Sequence, residues 1–185
     1  MLPGKMIIEM KRKIIKAIKS ACQKLQNKDG SLFHRPIEEG FNYDAKKLHE
    51  VCINHKLANY LEEFILPILE YKNMKYFVDI EFNREGMNNK EIEINAKEEL
   101  VRPDIIIHNR SSGDEKDNFL VAECKKSNVQ KKEKSDDVKK LKAFIKDSRY
   151  KYQYGLQIIY GNDKIKATLF YCDQGEISKE EIYNG

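Results

Sequence analysis

Apolar positions recur at helical spacing at two places in the first third of the chain. Ile7, Met10, Ile14, Ile18, Cys22 and Leu25 predict a basic amphipathic helix over 6–27, closed by the run Asn27-Lys-Asp-Gly30. Ile53, Leu57, Leu61, Phe64 and Ile68 lie near one stripe and predict a second helix from Ala45 to about Leu66, with Pro67 expected to end or kink it. Between them, 28–44 reads as loop, punctuated by Gly30, Pro36 and Gly40. Alternation then takes over. Segments 76–82, 102–108 and 118–125 predict three strands, 136–149 a helix with Val138, Leu141, Phe144 and Ile145 inward, and 153–160 and 167–172 two more strands. The stretch 83–90 is polar, and 90–99 is charged and fits neither period.

This order predicts an α/β fold with a mixed central sheet flanked by helices. The short gap between the second and third strands favours an antiparallel hairpin. The helix between the third and fourth is a crossover that suits a parallel pair. Residues 1–44 read as an N-terminal helical extension, either part of the same domain or an appendage, and 45–185 as the core.

Composition narrows the setting. The chain has 185 residues, 41% hydrophobic and 35% charged, enough for one sizeable core under a heavily charged surface. No run of eighteen apolar residues occurs, so no membrane partner is expected. The first twenty residues carry charges throughout and lack a secretory apolar stretch, so a cytoplasmic location is expected. Cys22, Cys52, Cys124 and Cys172 show neither a CxxC pair nor zinc-ligand spacing to histidine, which argues for isolated, reduced thiols. A net charge of +4 does not itself define a nucleic-acid partner. The run KKSNVQKKEK at 125–134 holds five lysines, a pattern shared by solvated helix starts and phosphate contacts.

The unusual chemistry lies in VRPDIIIHNRSSGDEKDNFLVAECKK, residues 101–126. If 102–109 and 118–125 pair as a hairpin with Asn109 opposite Asn118, Asp104 falls opposite Glu123. Cβ atoms of opposed residues lie roughly 4.5–5.5 Å apart. Two carboxylates so placed repel unless a cation neutralises them, and hard oxygen ligands suit Mg²⁺ or Mn²⁺. Lys125, two residues after Glu123, lies on the same strand face. Its ammonium suits orienting or deprotonating an attacking water, or balancing charge on a phosphate. A hairpin edge with solvent-facing acids gives the same pattern. Glu50 begins the helical stripe that packs on the sheet, where it either favours the helix dipole or reaches the site. Asp79 and Glu81 share a face of the first strand, where they either join the site or form the solvent side of an edge strand, the second being favoured. His108 lies on the Asp104 face and Cys124 on the opposite one. Neither GxSxG nor a glycine-rich phosphate loop occurs.

The runs RPDIII at 102–107 and FLVAECK at 119–125 resemble the signature of the PD-(D/E)xK nuclease superfamily. HEVCINHKLANYLEEF followed by FVDIEFNR is similar to the helix and strand that precede it in a group of small bacterial members. The resemblance runs from about Lys47 to the C-terminus. It implies a restriction-endonuclease-like core and a nuclease requiring Mg²⁺ or Mn²⁺. Asp104, Glu123 and the Cys124 backbone carbonyl would be metal ligands, Lys125 would assist the attacking water, and Glu50 would reach the metal directly or through water. It implies a nucleic-acid partner, DNA before RNA, with Lys126, Lys131, Lys132, Arg149 and Lys151 near the phosphate backbone, and it leaves a homodimer open. The tyrosines of RYKYQY suit either base stacking or a core. Some relatives on this fold have lost catalysis, so the alternative is an inactive nucleic-acid-binding or assembly module.

Overall fold

The computed structural model describes residues 3–32, 50–70, 74–85, 88–94, 97–111, 117–161 and 164–185. A six-stranded mixed sheet forms the centre. It comprises β1 (Phe77–Ile80), β6 (Ile105–His108), β7 (Asn118–Lys126), β8 (Tyr154–Tyr160), β9 (Ile165–Asp173) and β10 (Glu176–Asn184), adjacent in that order. Helices α1 (Pro3–Asp29) and α2 (Glu50–Leu69) cover one face, and α3 (Lys131–Lys146) covers the other. Two short hairpins lie outside the sheet: β2 (Arg84–Glu85) with β3 (Asn88–Asn89), and β4 (Glu91–Ile94) with β5 (Lys97–Leu100). The chain is thus mixed α/β with a mixed sheet between helices.

Strand alternation separates the two cores. Ile105, Ile107, Leu120, Ala122, Cys124, Leu156 and Ile158 point to α1 and α2, while Ile106, Val121 and Phe170 point to α3. Helix α1 buries Ile14, Ile18, Cys22 and Leu25 in the same core as α2, and Lys24 and Asp29 bond Glu63 and Tyr60 across the helix pair. The expected pairings hold: β6–β7 is antiparallel, and β7–β8, joined through α3, is parallel.

Several boundaries differ from the sequence reading. Helix α1 runs to Asp29 and a 3₁₀ turn follows over Gly30–Leu32, while the remaining predicted loop, 33–44, and the start of the second predicted helix, 45–49, lie outside the described residues. Helix α2 continues past Pro67 to Leu69. Pro67 and Glu63 are exposed, so the carbonyl that loses its partner faces water, while buried Leu69 anchors the last turn. Helix α3 begins at Lys131 rather than 136, its first turn being the lysine run. The unassigned stretch 90–99 forms most of the β4–β5 hairpin.

Strand β10 escaped the alternation argument because a bulge between Glu181 and Tyr183 breaks its period. The signal was in the turn. Gln174 and Gly175 both have positive φ, at 49° and 87°, which is the backbone a two-residue hairpin connection requires.

Hairpin β4–β5 is fastened to the segment after α3. Lys90 is fully buried, its ammonium 2.9 Å from the Tyr152 hydroxyl and above the rings of Phe82, Tyr150 and Tyr152. The Tyr150 hydroxyl both accepts from the Glu91 amide and donates to the Glu91 carbonyl, at 3.1 and 3.0 Å. The tyrosines of RYKYQY are therefore core and clamp.

Helix α3 meets β8 at Gly155, where an added Cβ would stand 3.2 Å from Ile145 Cδ1 and 3.3 Å from Leu141 Cβ. Gly155→Val is expected to cost about 1–3 kcal/mol by overpacking this contact. Urea unfolding checks it, and a midpoint equal to wild type would refute the close approach.

Candidate functional site

Strand β7 outruns β6. The ladder pairs Ile107 with Leu120, Ile106 with Val121 and Ile105 with Ala122, and there β6 stops. The strand amides beyond Ala122 on that edge need other acceptors. Asp104 Oδ2 accepts the Cys124 N–H at 2.7 Å, and Glu50 Oε2 accepts the Lys126 N–H at 3.0 Å. Two carboxylates thus continue the ladder where the neighbouring strand ends. Glu50 comes from the first turn of α2, on the far side of the sheet, and meets the site around the end of β7.

The predicted pairing of Asn109 with Asn118 does not form: His108 pairs with Asn118, and a register shift follows at once. The shift restores the anticipated offset, so extending the ladder one step from Ile105–Ala122 sets Asp104 across from Glu123. The bulge was not visible in the sequence, and its effect cancels the anchoring error.

Glu123 and Lys125 project toward α3, on the face of Val121. Glu123 is 3% exposed, and its Oε1 accepts no hydrogen bond. Burial above all, then the Asp104 charge, pushes its carboxyl up to about 8. Burial likewise raises Asp104, against the Cys124 amide and Lys125, which favour its anion.

The Lys125 ammonium sits in the middle of the cluster. It lies 3.4 Å from Glu50 Oε1, 4.0 Å from Asp104 Oδ2, 4.0 Å from Asp137 Oδ2 and 3.2 Å from the Cys124 carbonyl oxygen. Burial works to lower its pKa, but Asp104, Asp137, Glu50 and Glu123 together outweigh that and hold it raised. It is a persistent cation here, suited to donating hydrogen bonds and balancing charge rather than to taking a proton.

Asp137 was absent from the sequence-derived site. It is 2% exposed on α3, and Oδ2 accepts no hydrogen bond, while Oδ1 lies 3.7 Å from Lys140 Nζ. Helical spacing from Leu141, Phe144 and Ile145 places it on the buried stripe, a signal that the helix predicted over 136–149 already carried but that a charged side chain in an apolar stripe obscured.

Beside Lys125 and Asp137 opens a cleft of about 420 Å³, walled by Ile94 and Glu99 of the β4–β5 hairpin and by Glu133 and Lys140 of α3. The candidate phosphate contacts do not share one end of the sheet: Lys126, Lys131 and Lys132 lie where β7 ends and α3 begins, whereas Arg149 and Lys151 flank Tyr150, whose carbonyl accepts from Asn118 at the start of β7. Lys131, Lys132 and Lys151 are exposed, and Lys126 is half-buried beside Glu50. Arg149 is engaged with Asp147 and Glu98.

The remaining residues singled out lie elsewhere. Asp79, on edge strand β1, bonds His108 Nε2 at 2.9 Å and is held also by Arg110. Glu81 has a positive φ of 50° and ends the strand, so its predicted alternation with Asp79 breaks there. Cys124 is fully buried under the sheet, and burial raises its thiol.

The donor set fits a hard divalent cation in chemistry. Glu50, Asp104, Glu123, Asp137 and the Cys124 carbonyl offer only oxygens, and two buried carboxylate oxygens lack a partner. Among the described residues no group of three or more His, Cys, Asp or Glu stands ready to chelate an ion. Lys125 instead is the charge that the acids share. No helix among the described residues is long and apolar enough to cross a membrane. No family model matches this chain, and no curated protein matches it.

Proposed function

We propose that this chain is a Mg²⁺- or Mn²⁺-dependent nuclease with a restriction-endonuclease-like core, hydrolysing phosphodiester bonds in DNA rather than RNA. One observation carries the reading. Glu123, buried and with Oε1 unpartnered, shares the end of β7 with Asp104, Glu50 and Lys125, whose ammonium all of these acids hold charged. An uncompensated buried carboxylate is costly, and a cation offsets that cost. The preference for DNA rests on the sequence resemblance alone.

The divisions of labour follow from the donors. Asp104, Glu123 and the Cys124 carbonyl would hold the cation, with Glu50 within reach from α2. Bound there, a divalent ion supplies Lewis acidity toward water and a phosphate oxygen. Lys125 lines the cleft as a fixed positive donor, placed to stabilise charge that builds on a phosphate. Lys126, Lys131 and Lys132, at the end of β7 and the start of α3, are the basic residues suited to contacting the rest of the backbone.

Purified protein incubated with single- and double-stranded DNA and RNA should cleave DNA with Mn²⁺ and leave it intact with excess EDTA. Retained Mn²⁺ binding without cleavage of any of these would favour the inactive nucleic-acid-binding module. Cleavage that persists in EDTA would remove the cation from the reading.

A further inference from the structure

The geometry points to Asp137 as a further ligand of the divalent cation, contributed by helix α3, so that ion binding ties α3 to strand β7. This rests on the cation-dependent reading above and adds a residue that the sequence resemblance does not supply. Three observations carry it. Asp137 faces the same ammonium as Asp104, with Lys125 Nζ 4.0 Å from an oxygen of each. It is 2% exposed, yet its Oδ2, the oxygen directed at Lys125, accepts no hydrogen bond. It also borders the cleft beside Lys125, with Lys140 one turn further along the helix.

A merely structural aspartate at this depth would be expected to satisfy both oxygens, because a buried acceptor left unpaired has lost its water without a replacement. The unused oxygen of Asp137 instead faces the Lys125 ammonium at 4.0 Å, and a second unused oxygen, Glu123 Oε1, is buried on the same face of β7. An ammonium of fixed reach leaves the Asp137 oxygen short of a bond. A divalent ion, which accepts six or more oxygen ligands, accommodates carboxylates from β7, from the residue preceding β6, and from α3 together. The consequence is mechanical as well as electrostatic: α3 carries Glu133 and Lys140 on the wall of the cleft, so the ion would fix that wall relative to Lys125.

Two measurements on the full chain test this, neither of which uses cleavage. In calorimetric titration with Mn²⁺ alone at pH 8, Asp137→Asn should weaken binding at least tenfold. Asp136→Asn removes the same charge from the neighbouring residue, half-exposed on the wall of the same cleft and paired with Lys139, and should weaken binding less than threefold. Equal effects of the two substitutions, or no effect of Asp137→Asn, overturns the inference while leaving the nuclease reading intact. In the unaltered protein, Mn²⁺ should slow amide hydrogen exchange in the first half of α3 at least tenfold. Protection confined to β7, with α3 unchanged, overturns the inference even if Asp137→Asn does not fold. Absence of any Mn²⁺ binding by the wild type overturns it together with the cation dependence, whereas binding without cleavage of nucleic acid supports it and sinks only the nuclease.

Discussion

Lys125→Ala is expected to abolish cleavage by at least about 10³-fold while Mn²⁺ affinity stays equal to wild type or rises. A factor of 10³ corresponds to about 4 kcal/mol of lost transition-state stabilisation. Removing one preorganised donor at a developing charge has an effect of this order. The direction of the binding change follows from position. The ammonium lies within 4.0 Å of oxygens on Glu50, Asp104 and Asp137. It competes electrostatically with any cation for those oxygens, so its removal leaves them more negative and less compensated. Calorimetry with Mn²⁺, beside single-turnover cleavage of labelled DNA, separates the two quantities. Parallel loss of binding and cleavage would contradict the role assigned to Lys125 and make the side chain a structural prop.

The second large effect concerns pH and Glu123. Metal-free wild-type protein should become less stable as pH rises from about 5 to 8. The Glu123 carboxyl is pushed up to about 8 from its ordinary 4.5, chiefly by burial. The folded state therefore keeps a proton that the unfolded chain has released. That contribution is full below 4.5 and is lost as pH rises through 8. Asp104 and Asp137, also raised by burial, act in the same direction. Asp79 acts oppositely. Burial raises it, but the bonds to Arg110 and His108 prevail and lower it, so its contribution is lost only as pH falls through the acid range.

Each kcal/mol lost over this interval lowers the melting temperature by about 2–4 °C for a chain of this size. Glu123→Gln should flatten the slope and melt above metal-free wild type at pH 8, because a neutral amide replaces a buried charge. It should also lose Mn²⁺ binding by at least about 100-fold. Saturating Mn²⁺ should reverse the wild-type trend, since the ion binds the deprotonated carboxylates. Added ligand at 100 times its Kd stabilises by about 2.7 kcal/mol. Thermal melts at pH 5, 6.5 and 8, with and without Mn²⁺, provide the check. His108, lowered by burial, opposes this trend below its ordinary 6.5, so the comparison is with the variant: a wild-type profile with the same slope as Glu123→Gln would show that Glu123 is not the buried acid described.

How far the sequence carried the fold depends on which kind of signal each element left. Hydrophobic period located α1, α2, α3 and the central strands, because those elements bury one continuous face. It also gave the antiparallel and parallel pairings around the crossover, because connection length limits topology. It missed β10, where a bulge spoils the period, and hairpin β4–β5. That hairpin is held by a buried lysine among aromatic rings and by a tyrosine hydroxyl on a strand backbone. Lys90 is far along the chain from Tyr150 and Tyr152, and nothing in the local spacing of either foretells the clamp.

The site divides in the same way. The sequence by itself determined that Glu123 and Lys125 share a face, because side chains two apart on a strand must. It also set Asp104 near Glu123, because a hairpin has only a few registers. Only the tertiary structure decided that β6 ends early and leaves strand amides for Asp104 and Glu50 to accept. It likewise decided that Asp137 on α3 closes over the same ammonium. Those contacts join residues separated by twelve to seventy-six positions, and their geometry is set by where whole layers come to rest. Local periodicity fixes which way a side chain points, whereas the packing of helices on both faces of the sheet fixes what it meets.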